Sequence, residues 1–203
     1  KTINNTTVVT KLQIKDFNSH NEVKIGNIVK KISFFKDYFL PVISTCPIDI
    51  RLIDKKLINE IEIIKESENK YVLMNIPYVK NKPFNSIFYV GETNHKHFFL
   101  QVTETFIYLV SAVKKLVDSK IVHFDLKNDN ILYNSLTKDP QIIDFGISIP
   151  MDKLNKENIE EYFYIYAPDY YIWPLEVHII GYMLWKGKKT ETLTEKDAKI
   201  IAS

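Results

Sequence analysis

One cysteine, Cys46, stands in 203 residues, so neither an intramolecular disulfide nor a thiolate metal cluster is available, which fits a reducing compartment. Glycine is nearly as sparse, with five copies and no G-x-G-x-x-G arrangement. Alanine and arginine are also scarce, a bias of the kind an AT-rich coding genome leaves. Charge of one sign is missing. Lys plus Arg number 27 against 25 Asp plus Glu, a net of +2, too little to make a phosphate-neutralising surface the default function, so no nucleic-acid partner is expected. Nor does any run approach the roughly 20 apolar residues of a membrane-spanning helix. Lys36 and Asp37 split the most apolar early stretch, 32–42, and no membrane partner is expected. The chain begins at Lys1 with neither Met nor a charged-then-apolar leader, so it is read as an intracellular chain shortened at its N-terminus.

What is present is a globular composition: 45% hydrophobic, 26% charged and 13% aromatic. The length gives about 1.4 times the usual domain allowance, meaning one large domain or two small lobes. Thr6 to Ile14 is a β-rich run, and His20 to Ile32 carries Val23, Ile25, Ile28, Val29 and Ile32 at helical spacing, with Asn21 or Ser19 as cap. Strands are expected near Ile48 to Ile53, at Ile61 to Ile64 and at Tyr71 to Ile76, the last ending against Pro77. The strongest helical stripe is Phe99, Val102, Phe106, Leu109, Val110, Val113, Leu116 and Val117, predicting a core helix over 98–120. Short strands follow at Ile121-Val122, Ile131 to Tyr133 and Gln141 to Ile143. A Pro-containing linker at 77–85 separates two parts, 1–77 and 78–203.

Chemistry concentrates between those short strands. His123-Phe124-Asp125-Leu126-Lys127-Asn128-Asp129-Asn130 is followed by Asp144-Phe145-Gly146, with Asn130 five residues and Asp144 nineteen residues after Asp125. Phosphoryl transfer needs magnesium held by hard oxygens and a carboxylate facing the attacking hydroxyl. Asp144 and Asn130 offer the oxygens and Asp125 the base, while Gly146 is expected to take backbone angles closed to other residues. The set resembles the H-R-D-L-x-x-x-N and D-F-G signatures of the eukaryotic-type protein kinase family.

That resemblance implies an α+β, two-lobed protein-kinase-like fold, with a small, partial β-rich N-lobe and a mainly helical, truncated C-lobe. It implies ATP and Mg2+ as cofactors and a protein as substrate. Catalytic residues would be Asp125, Lys127 and Asn130, with magnesium on Asn130 and Asp144. Lys127 stands where Ser/Thr-specific members carry lysine, which favours Ser/Thr acceptors. His123 is read as a brace of the loop. Phe124 replaces the arginine that binds an activation-loop phosphate in many members. For the nucleotide, Lys11 at the end of Val8-Val9-Thr10-Lys11 pairs with Glu22, Lys15 or another acid being the alternative. Met74 is the gatekeeper, and backbone groups of Asn75, Ile76 and Pro77 lie near adenine. Trp173-Pro174-Leu175-Glu176, or in competition Ala167-Pro168-Asp169, resembles the end of the activation segment, which Tyr162, Tyr164, Tyr166, Tyr170 and Tyr171 would line mainly as packing groups.

The missing glycine-rich loop and the short C-terminal part depart from the pattern and mark the chain as a fragment. The scarcity of arginine resembles divergent kinases of large DNA viruses, which extends the expected location to a host-cell cytoplasm. Two rival functions remain: a small-molecule kinase of the aminoglycoside or choline type, and a pseudokinase acting as a binding module.

Overall fold

A computed structural model describes residues 2–3, 6–53, 70–88, 95–155 and 157–187. The chain forms two compact units, 1–148 and 149–203. The first contains an antiparallel sheet in the order β1-β2-β4-β3, built from β1 (Thr2–Ile3), β2 (Thr6–Ile14), β3 (Ser44–Ile48) and β4 (Tyr71–Pro77). β2 lies against β4 with Lys11 opposite Met74, and β3 covers β4's other edge with Ile48 opposite Tyr71.

The helix expected over 20–32 starts three residues earlier, as α1 (Phe17–Val29). Asp16 is the reason. Its carboxylate accepts from the Ser19 amide and the Ser19 hydroxyl oxygen accepts from the Asp16 amide, each at 2.9 Å, a reciprocal cap that satisfies two otherwise orphaned donors. Neither Ser19 nor Asn21 is the cap residue itself. Likewise β3 ends where a strand was expected to begin. At 50–52 the chain makes a 3-10 turn, because the Asp49 carboxylate captures both the Arg51 amide and its guanidinium, a local bond that competes with strand pairing. The strand expected at 61–64 lies outside the described residues.

A second sheet, β5-β7-β8, joins β5 (Asn81–Pro83), β7 (Ile131–Asn134) and β8 (Pro140–Ile142). The short strand β6 (Ile121–Val122) precedes it in the chain. α2 (Phe35–Tyr38) is a single turn and α3 (His95–Asp118) is the long helix. Ile25 and Val29 of α1, Phe39, Ala112 and Leu116 of α3, Ile121, Ile142 and Phe145 form the core. Each large member contributes about 1.5–3 kcal/mol by leaving water. The apolar stripe of α3 is only partly used, since Thr105, Ala112 and Leu116 are buried while Phe99, Phe106, Val110 and Val117 are exposed. Residues 105, 109, 112 and 116 share one face at i+4 and i+3 steps. The others lie on the adjoining face.

The second unit contains β9 (Ile149–Pro150), α4 (Ile159–Phe163) and α5 (Leu175–Trp185). Gly181 in α5 allows close approach, because a Cβ there would stand 2.8 Å from the Ile165 carbonyl oxygen. Tyr166 stacks on Trp185 and Tyr170 packs edge-on to Trp173. Tyr162 is buried, whereas Tyr171 is 91% exposed, so packing accounts for some of these tyrosines and not for that one.

Candidate active site

β2 places Lys11 beside α1, and its ammonium reaches two carboxylates: Glu22 Oε2 at 3.1 Å and Asp144 Oδ2 at 3.3 Å. Glu22 is almost wholly buried. Burial pushes its carboxyl above the ordinary range, the Lys11 charge pulls it back, and Asp144 pushes it up again. For Lys11, burial works against the charge, but Glu22 and Asp144 outweigh it and hold the ammonium protonated above its usual range. The pairing of Lys11 with Glu22 is thus the one present, ahead of the Lys15 alternative.

A second cluster surrounds Asp125. Asn130 Nδ2 donates to the Asp125 carbonyl and to Asp125 Oδ2, both at 2.8 Å, and Lys127 Nζ lies 3.1 Å from Asp125 Oδ1. Asn130 sits in a 3-10 turn at 128–130, which folds it back toward the residue five before it. The two clusters are tied through the backbone: the Ile143 amide donates to the Asn130 carbonyl at 3.0 Å, fixing the residue before Asp144 against the residue that grips Asp125.

His123 braces this loop. Its Nε2 faces the Ile143 carbonyl at 3.0 Å, so that nitrogen carries the hydrogen, while Nδ1 accepts from the Asp125 amide at 3.3 Å. A second proton on Nδ1 would face an N–H. Burial lowers the His123 pKa, against the pull of the Ile143 carbonyl, Asp125 and Asp144. The unfolded chain therefore takes up this proton first, at about pH 6.5. Folding stability should be full above that pH and fall as pH drops toward the lowered folded value, with a slope of up to about 1.4 kcal/mol per pH unit. Urea midpoints between pH 5 and 8 test this: His123→Gln should flatten the slope.

Two residues here are left-handed, Phe124 at φ 67° and Asp144 at φ 62°. An aspartate tolerates this region, but a bulky phenylalanine does so at a cost of about 1–2 kcal/mol. The surrounding hydrogen bonds hold it there. The sharp turn expected of Gly146 is made instead by Asp144. Gly146 is absent from the left-handed glycines and contributes room: a Cβ there would meet Asp144 Oδ1 at 3.4 Å and Glu22 Oε2 at 3.8 Å. Phe145 is buried edge-on against Phe39, at 6.2 Å between ring centres. Its insertion into the core anchors Asp144.

Asn130 and Asp144 suit a hard divalent cation. Both Asn130 amide hydrogens are spent on Asp125, so an oxygen is what that side chain has left to give, and Asp144 supplies a carboxylate. Among the described residues no group of three or more His, Cys, Asp or Glu side chains forms a metal site. Two protein oxygens are the usual share for magnesium bound with a nucleotide, whose phosphates and waters complete the shell.

On the sheet, Met74 is buried opposite Lys11, and Ile76 pairs with Val9. Asn75 is more engaged than expected. Its carbonyl accepts from the Ile43 amide at 2.9 Å, and its side chain bridges Thr10 and Ser44. Pro174 stands immediately before α5 and Glu176 lies in its first turn. Sequence reasoning treated Asn21 only as a cap and missed Ser148. The available signal was a short amide side chain directly before Glu22, on the helix face where a cap is not needed.

Comparison with known proteins follows the same direction. A family model described as a protein kinase domain matches residues 1–172. Serine/threonine-protein kinase 1 of African swine fever virus is 27% identical over 156 residues, covering 66% of this chain and 52% of the viral protein. A second isolate gives the same figures. The cell division cycle 7-related protein kinase of Homo sapiens is 31% identical over 81 residues, 40% of this chain and 13% of that protein. The chain spans about half the length of the viral relatives it matches.

Proposed function

The chain belongs to the protein kinase family, and we propose that it transfers the γ-phosphoryl group of ATP to serine or threonine hydroxyls of a protein substrate. The observation that carries this reading is the convergence of Lys11 on both Glu22 and Asp144, together with the grip of Asn130 on Asp125. The α+β architecture is that of the family, and we assign its two lobes to 1–77 and 78–203, a division that falls inside the first compact unit, 1–148.

In this reading Lys11 binds the α- and β-phosphates, and Glu22 keeps its ammonium aimed. Asp125 accepts the proton of the attacking hydroxyl, oriented by Asn130 and neutralised in part by Lys127, whose ammonium also faces the transferring group. Asn130 and Asp144 would hold magnesium, which would supply positive charge against that developing on the transferring phosphoryl group. Met74, Asn75 and Ile76 border the adenine. Serine and threonine are preferred because Lys127 occupies the place beside the base, and because the viral relatives carry that name.

Incubation with γ-labelled ATP, magnesium and a generic basic protein should give phosphoserine and phosphothreonine on hydrolysis of the acceptor. Phosphotyrosine alone would overturn the acceptor class. Label on an aminoglycoside or choline in place of the protein would make the chain a small-molecule kinase.

A further inference from the structure

Asn21 is almost entirely buried, and neither its location nor its bonds are explained by helix formation. It lies within α1, past the Asp16 and Ser19 cap, and its amide reaches off the helix. Nδ2 donates to the Gly146 carbonyl at 2.9 Å and to the Ser148 carbonyl at 2.8 Å. Both amide hydrogens are thereby used, and both partners are acceptors, so the amide cannot be turned over without setting oxygen against oxygen. Its Oδ1 is buried with no partner among the described residues. A side chain present only to fill space would carry no such unmet acceptor.

From this we infer that Asn21 is a positioning residue, a latch that fixes the Asp144 segment to the helix bearing Glu22, so that the Lys11–Glu22 pair and Asp144 are set together. The inference rests on the phosphoryl-transfer reading for its consequence in rate, but the latch itself does not. Adjacent residues of α1 perform the two halves: Glu22 reaches Lys11, and Asn21 grips the backbone two and four residues beyond Asp144. The bonds continue. Ser148 Oγ donates to the His123 carbonyl at 3.0 Å, and His123 holds both the Ile143 carbonyl and the Asp125 amide. One path of hydrogen bonds therefore joins α1 to the proposed base. A displacement of about 1 Å at a reacting group costs on the order of 100-fold in rate, so a loosened latch should be felt in transfer before it is felt in substrate affinity.

The test compares wild type with Asn21→Ala and Asn21→Asp, the second isosteric but presenting oxygens to both carbonyls. At a temperature where circular dichroism shows all three folded, both variants should lose at least tenfold in kcat, with KM for the protein acceptor unchanged. Their magnesium requirement should rise several-fold, because Asp144 is held less firmly. Wild-type kcat and magnesium titration in both variants would overturn the inference, leaving Asn21 a merely structural residue.

Amide hydrogen exchange separates this from failure of the functional reading, since it needs no activity. Asn21→Ala should speed exchange in 17–29 and in 143–148 together while leaving β4 as in wild type. Faster exchange in 17–29 alone would overturn the latch, whatever the assay shows. If Asn21→Ala does not fold, Asn21→Ser takes its place in the same exchange comparison. Correlated exchange in a wild-type chain that transfers no phosphate would keep the latch and discard the proposed function.

Discussion

Asp125→Asn should reduce phosphoryl transfer by about 10²–10⁴-fold, the range a positioned general base contributes, while leaving ATP binding within about twofold. The substitution is isosteric. The new amide oxygen can still accept from Asn130 Nδ2, which in the wild type stands 2.8 Å from Asp125 Oδ2, so the loop keeps its shape. What is lost is the basic oxygen and one partner of the Lys127 ammonium. In the proposed site Lys11 binds the phosphates and Asn130 and Asp144 the metal, not Asp125, hence the separation of rate from affinity. Single-turnover transfer with isotope-labelled ATP, beside a direct nucleotide titration, measures both. A variant that transfers at the wild-type rate refutes the assignment of the base. A variant that loses binding and rate together shows a wider role for Asp125.

Lys11→Met should disable nucleotide-dependent transfer and also destabilise the fold by about 3 kcal/mol, toward the low end of what breaking a buried pair costs. The low end applies because the Lys11 side chain is one-third exposed while that of Glu22 is 2% exposed. Without the ammonium, Glu22 keeps its burial and its repulsion from Asp144 and loses the charge and the hydrogen bond of Lys11, which lower its pKa. The sign follows from linkage. A carboxyl whose folded pKa is raised binds its proton more tightly folded than unfolded, so stability falls as pH rises from the ordinary glutamate value through the raised one. That fall should be steeper in Lys11→Met than in wild type. Adding Glu22→Gln to Lys11→Met should restore much of the stability without restoring transfer, since no buried charge then stands unpaired. Urea unfolding at pH 5 and pH 8 for the three proteins gives the answer, and a double variant no more stable than Lys11→Met at pH 8 would show that the loss is not electrostatic.

The part of the site that could be read from sequence is the part encoded locally. His123 to Asn130 and Asp144 to Gly146 carry their chemistry in short spacings, and a 3-10 turn and one left-handed residue suffice to fold each. Lys11 and Glu22 were legible in order because β2 and α1 are consecutive elements. Their pairing was expected from the family resemblance, and the structure adds Asp144 as a second carboxylate on the same ammonium.

The remaining features answer to tertiary packing that no local pattern announces. Gly146 was expected to make the turn that Asp144 makes, because a glycine needed for room and a glycine needed for φ look alike in a sequence. Asn21 was invisible as a latch, since its two partners are carbonyls 125 and 127 residues away. The apolar stripe of α3 was legible, but not which part of it the core would cover. Asp49 stopped a strand that Ile48 to Ile53 favoured by composition, through a bond to its own neighbour's backbone.

Thermal unfolding with and without saturating magnesium and ATP, on the wild type and Asp144→Asn, tests most directly that these residues form a metal-nucleotide site. Ligand at a hundred times its dissociation constant adds about 2.7 kcal/mol, which for a chain of this size is a rise of roughly 5–10 °C in the midpoint. That rise is expected in the wild type, dependent on magnesium, and its loss in Asp144→Asn. An equal rise in the variant, or none in the wild type, would contradict it.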